Sequence, residues 1–137
     1  MITRHRLRVI EAIAVLTAAR VALLVLPFAW IAGAAGRVED GHAHDRPVRA
    51  TTDPVSLQVR GALRAAVRRL PWRTTCLPRA IAGRMMLAWR GTPSTLVFGV
   101  AADGDSVAAH AWLMAADGWV CGGREARRFR PLAAIRS

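Results

Sequence analysis

At Pro93 the apolar period of this chain changes, and that switch limits the folds open to it. Upstream, Val55, Val59, Leu63, Ala66, Val67 and Leu70 recur at helical spacing. A second helical run starts at Thr74 or Thr75 and ends at Gly91, with Ile81, Met85 and Ala88 or Trp89 as its buried stripe. Downstream the period is two. Thr95–Ala101, Val107–Ala115 and Trp119–Gly122 read as strands, with Ala102-Asp103-Gly104-Asp105 and Asp117-Gly118 as turns. The tail from Glu125 to Ser137 carries Phe129, Leu132 and Ile135 and is expected to close over the sheet as a loop and short helix. The fold class is therefore α+β, helices followed by a small antiparallel sheet. At 137 residues the chain can bury a core without staples.

Prolines set the helix boundaries. Asp53-Pro54 opens a helix as N-cap and first helical residue, and Pro71 ends it ahead of Trp72, expected in the core. Pro78 has no N–H, so it fits a helix only in the first turn, where that donor has no intrahelical acceptor. This puts Cys76 at about the first helical position.

Residues 4–35 are mostly Ala, Val, Leu and Ile after a basic start. Arg20 divides the apolar run into pieces of 8 and 16 residues (12–19 and 21–36), and a charge at mid-bilayer is costly. Pro27 would kink or end a helix. Two helices, roughly 6–18 and 19–35, are expected, packed on the domain or making peripheral membrane contact. Residues 1–35 thus form an apolar N-terminal helical region, 36–54 a linker and 55–137 the core. The linker's His42, His44 and Asp45 supply too few ligands for a metal site, so neither a metal nor a cofactor is expected.

The net charge is +11, and all 20 basic residues are Arg. Such a surplus favours anionic partners. Yet Arg64, Arg68 and Arg69 on one helix, and Arg124, Arg127, Arg128 and Arg130 near the C-terminus, have no interleaved aromatics to stack bases on. They read as solvated faces, and no nucleic-acid partner is expected. Two cysteines in unlike contexts make no disulfide framework, which indicates free thiols, a reducing compartment and a cytoplasmic setting. Cys121, mid-strand, reads as a small packing residue.

Cys76 is different. A thiol at a helix N-terminus lies near free N–H groups and the positive end of the helix dipole, both of which favour thiolate. Those N–H groups can also hold an oxyanion. His110, on a facing strand, can take the thiol proton and return it to a leaving amine. Trp112, two residues on and on the same face, is placed to wall the cleft and contact substrate, or to fill the core.

The ordered set Cys76-Leu77-Pro78-Arg79-Ala80, a helix, Gly91-Thr92-Pro93, a strand with Val97-Phe98-Gly99-Val100, and His110-Ala111-Trp112 resembles the transglutaminase-like cysteine-protease superfamily. Within it the set resembles the small leader peptidases of lasso-peptide biosynthesis, over about residues 55–135. The Arg-punctuated N-terminal region ending in Leu26-Pro27-Phe28 resembles theirs too. The resemblance implies a transglutaminase/papain-like core with Cys76 as nucleophile and His110 as base. It also implies hydrolysis of one peptide bond in a ribosomally made precursor peptide. A separate leader-recognition protein and a lasso cyclase are the implied partners, since a fused recognition domain has no room before residue 55.

The family places an Asp about a dozen residues after the His, on the next strand. Here that stretch is Val120-Cys121-Gly122-Gly123. Asp117, seven residues from His110, would lie ~20 Å along the strand. With Asp117-Gly118 as a two-residue turn, Ala116 faces Trp119 and His110 faces Glu125, making Glu125 the candidate third member. A bulge at Gly122-Gly123 would break this register, and a backbone carbonyl can also orient an imidazole. The missing Asp motivates an alternative: a catalytically impaired member of the fold that binds the precursor or scaffolds its maturation complex.

Overall fold

Thr3 opens one continuous helix, α1 (Arg4–Val25), its hydroxyl accepting from the Arg6 N–H at 3.2 Å. The sequence predicts a break near Arg20, but the helix runs through. The guanidinium lies over the Trp72 ring, 4.4 Å from its centroid, so the charge is accommodated without ending the helix. The computed structural model describes residues 3–26, 37–40, 49–126 and 128–136. Most of the expected second helix, and His42, His44 and Asp45, lie outside these. Among the described residues no helix is long and apolar enough to cross a membrane.

Val9, Ala12, Leu16 and Ala19 form the buried face of α1, packed on two further helices. In α2 (Pro54–Arg69), Asp53 caps as predicted, its carboxylate accepting from the Ser56 N–H at 2.9 Å. Val59, Leu63 and Ala66 are buried. Central helix α3 (Cys76–Trp89) buries Ile81 as predicted but departs from the rest of its stripe: Met85, Ala88 and Trp89 are exposed, while Ala80, Ala82, Gly83, Met86 and Leu87 are buried. Small residues carry the inner face because the neighbours come so close. A Cβ on Gly83 would stand 2.9 Å from Leu113 and 3.2 Å from Leu63.

The strands are β1 (Arg37–Asp40), β2 (Thr95–Asp103), β3 (Ser106–Ala115), β4 (Gly118–Cys121) and β5 (Arg130–Arg136), with a short helix α4 (Gly123–Ala126) between the last two. They form an antiparallel sheet in the order β1-β5-β2-β3-β4. Two expectations are corrected. Residues 37–40, read as linker, make an edge strand on β5. The tail, read as loop and helix, inserts β5 beside β2. Pro131 is tolerated there because β1 pairs only with residues 133–136 and a register shift falls between Phe98 and Gly99.

Helices α1–α3 cover one sheet face, sharing a core with Leu96, Leu113 and Ile135. Val97, Trp112 and Ala134, on the other face, pack with Ala126 and Phe129. Arg84, only 3 % exposed, donates from α3 to the Ser94 carbonyl at 3.2 Å and the Ile135 carbonyl at 2.8 Å. Its burial lowers its pKa.

Candidate active site

Pro78 sits in the first turn of α3, and Cys76 is the first helical residue. Thr75 precedes it as N-cap but gives no side-chain cap hydrogen bond, so no side chain of the cap competes for the first-turn N–H groups. His110 comes from the middle of β3, opposite Gly99 on β2. A Cβ at position 99 would stand 2.8 Å from Trp112 and 2.9 Å from the Arg130 carbonyl, so only glycine fits there.

The half-buried Cys76 thiol and His110 imidazole border the same cleft within interacting reach of each other. The imidazole is the main reason the Cys76 pKa lies below the ordinary thiol value. Burial opposes it, and the Ala111 backbone assists. For His110, burial pulls the pKa down, but Cys76, the Gly122 carbonyl and, least of all, the Glu125 charge together outweigh it and raise the value. Opposite shifts on a thiol and an imidazole bring the two pKa values towards each other, so the thiolate–imidazolium form is more accessible than for the isolated groups.

His110 Nε2 lies 2.7 Å from the Gly122 carbonyl oxygen. A carbonyl only accepts, so Nε2 carries a proton and donates it, leaving Nδ1 as the ring's basic nitrogen. The ring lies 5.9 Å from Trp112 in a stacked arrangement and 5.0 Å from Phe129. It is therefore held by a hydrogen bond and by two aromatic neighbours.

The expected position of Glu125 is not what the structure has. The hairpin pairs Ala115 with Gly118, so Ala116 and Asp117 are its central residues, one position earlier than the Asp-Gly signal implies. Val120 then bulges, since Met114 pairs with Trp119 and Leu113 with Cys121. Strand β4 ends at Cys121, and Glu125 lies exposed in α4 on the rim of the cleft. Its charge contributes the smallest of the effects that raise His110, and the hydrogen-bonding place on the imidazole belongs to Gly122.

Trp112 is fully buried and does not line the cleft; it packs beneath His110, so the expectation of substrate contact is replaced by a packing role. The Cys121 thiol borders the cleft, and burial pushes its pKa up to about 12. Asp117 instead receives hydrogen bonds from the Thr51 hydroxyl and from the Thr52 N–H at 2.9 Å and hydroxyl at 3.1 Å. Among the described residues no group of three or more His, Cys, Asp or Glu could hold a metal ion.

Gly122 is the site residue that residue-by-residue reading passes over. Its φ is 75°, and a Cβ there would stand 2.9 Å from the Ala111 carbonyl and 3.2 Å from His110 Nε2. The Gly122-Gly123 pair, standing where an acid was expected, is the signal that could have found it. The cleft above the pair has a volume of about 760 Å³ and is bordered by α2, the start of α3, β4 and α4.

Neither the curated proteins nor the solved structures yield a match to this chain. A family model does match: it covers residues 13–134, from the inner face of α1 through Cys76 and His110 to the end of the sheet, and the chain belongs to the transglutaminase-like superfamily that it describes.

Proposed function

We propose that this protein is a thiol peptidase with Cys76 as nucleophile and His110 as base. The observation that carries the reading is the placing of Cys76, first residue of α3, and His110 in one cleft, with the thiol pKa lowered and the imidazole pKa raised by their proximity. Membership of a superfamily whose members are commonly cysteine-peptidase-type enzymes supports it.

In this mechanism His110 Nδ1 holds the thiol proton while Sγ attacks the scissile carbonyl carbon. The carbonyl electrons move to oxygen, which first-turn N–H groups of α3 receive. Collapse breaks the C–N bond, the leaving amine takes the proton from Nδ1, and a thioester remains on Cys76. Water then attacks the thioester carbon as Nδ1 takes its proton; collapse breaks the C–S bond, releasing the acid and returning the Cys76 thiolate beside the protonated imidazole. The Gly122 carbonyl keeps Nε2 protonated and steadies the imidazolium, the part an Asp takes in relatives. A neutral carbonyl stabilises a cation less than a carboxylate does, which predicts a slower enzyme with the same chemistry.

The substrate proposed is a ribosomally made lasso-type precursor, cut between leader and core. A separate protein would recognise the leader, and a lasso cyclase would close the freed core peptide. Incubation with precursor and recognition protein tests this. Wild type should release the leader, while Cys76→Ala and His110→Ala should each lower the rate by about a thousandfold or more. Normal cleavage by Cys76→Ala would end the proposal. The missing carboxylate on Nε2 favours a second reading, a catalytically impaired member that binds the precursor or scaffolds the complex. Precursor binding without cleavage by wild type selects it.

A further inference from the structure

The Arg residues of α2 do not form only a solvated face. Arg60, Arg64 and Arg68, four apart on one side of the helix, all border the cleft that holds Cys76 and His110. Arg79 borders it beside the thiol, and Arg124 borders it from α4. Against five guanidinium groups, the described residues of the lining include one carboxylate, Glu125.

Two of the five are committed to the fold. Arg60 donates to the Val120 carbonyl at 2.7 Å and the Trp119 carbonyl at 2.6 Å; Arg79 donates to the Thr74 carbonyl at 3.0 Å. Arg64, Arg68 and Arg124 are exposed, and among the described residues none has a carboxylate partner. Arg68 reaches only the Arg64 carbonyl, at 3.4 Å. Helix α2 carries no acid between Pro54 and Arg69, so like charges at this spacing oppose helix formation. Near the thiol, Thr74 Oγ1 and Arg79 Nε are buried without a hydrogen-bond partner among the described residues, and Thr74 is only 6 % exposed. Trp119 does not offer a base-stacking surface, because Arg60 already lies over its ring at 4.5 Å.

We propose that the cleft selects an acidic peptide segment, whose Asp or Glu carboxylates Arg64 and Arg68 bind from one wall and Arg124 from the other. This deepens the peptidase reading by naming the substrate's chemistry. Guanidinium forks match carboxylates in two-pronged geometry, and the cleft walls exclude part of the water that screens such pairs elsewhere. The charge surplus becomes a means of orienting the chain across Cys76.

Calorimetry on the full-length Cys76→Ala protein tests it with acetyl-Ala-Asp-Ala-Glu-Ala-amide and its Asn/Gln counterpart. The acidic peptide should bind about tenfold or more tightly than the neutral one. The preference should weaken as salt rises from about 0.05 M to about 0.5 M. R64Q/R68Q should lose about fivefold or more, with R124Q as an independent variant on the opposite wall. Equal binding of the two peptides, no binding of either, or a preference unchanged in both variants overturns the proposal. So does a short oligothymidylate that binds more tightly than the acidic peptide. Iodoacetamide labelling of wild-type Cys76 at neutral pH separates the two readings. Rapid, His110-dependent labelling without acidic preference sinks this inference alone; acidic preference with an inert thiol sinks the peptidase reading alone.

Discussion

The Gly122 carbonyl takes the place on His110 Nε2 where an acidic side chain was expected, in backbone that a larger residue fits poorly. Alanine there would hold a positive φ and press its Cβ towards the imidazole nitrogen and the Ala111 carbonyl. Gly122→Ala should cost about 1–3 kcal/mol of stability and slow iodoacetamide labelling of Cys76 at neutral pH by about tenfold, because the ring loses its fixed tautomer. Glu125→Gln should leave that rate within about threefold, since its effect on His110 is only a through-space charge. An equal loss in both variants would give Glu125 the orienting role. Against pH, labelling of Cys76 should fall away only below the ordinary thiol range, because its pKa is lowered, and His110→Ala should move the midpoint up. Cys76 was legible at this scale because Pro78 fits only the first helical turn, which puts the thiol at the helix start. The partner of Nε2 was not, because a main-chain carbonyl carries no residue signature.

Among elements, α3 fixes both the site and the join between layers. Arg84 runs from it to the Ser94 and Ile135 carbonyls, and Arg90 forms a two-pronged pair with Glu11 of α1 at 2.9 and 2.6 Å. Burial separates the two in energy. Arg84→Met removes the donor from two carbonyls deep in the structure and should cost about 2–4 kcal/mol in urea unfolding. Arg90→Ala breaks a partly exposed pair and should cost about 1 kcal/mol or less. Similar midpoints for the two variants would contradict this ranking. Helix starts were readable from Asp53-Pro54 and Pro78. Of the α3 stripe Ile81 is legible but its continuation is not, because Ala80, Ala82 and Gly83 bury little apolar area yet set the closest approach. The hairpin was readable, but its register was not. Ala116 and Asp117 occupy the turn with ordinary negative φ, and the Val120 bulge absorbs the mismatch.

Across the whole molecule, Asp117 joins the hairpin to the segment entering α2. Its hydrogen bonds from Thr51 and Thr52 hold its pKa down at about 2, below the ordinary carboxylate value of about 3.9. A lowered carboxylate pKa stabilises the fold fully above the unfolded value, and this contribution is lost as pH falls through the folded one. Between about pH 4 and about pH 2, wild type should therefore lose urea resistance more steeply than Asp117→Asn; parallel curves would place the acid sensitivity elsewhere. The same segment continues past the clamp. Thr51 N–H donates to the Trp119 carbonyl at 2.9 Å, and Trp119 N–H donates to the Arg49 carbonyl at 3.1 Å. Gly118 lets the two backbones meet, since a Cβ there would stand 2.7 Å from the Arg49 carbonyl. The chain has thus occupied the outer edge of β4 with its own backbone. Under the peptidase proposal, a substrate would find that edge closed to an extra strand at Trp119, and its recognition on this side would fall to side chains, so that even a peptide too short to extend the sheet could be chosen.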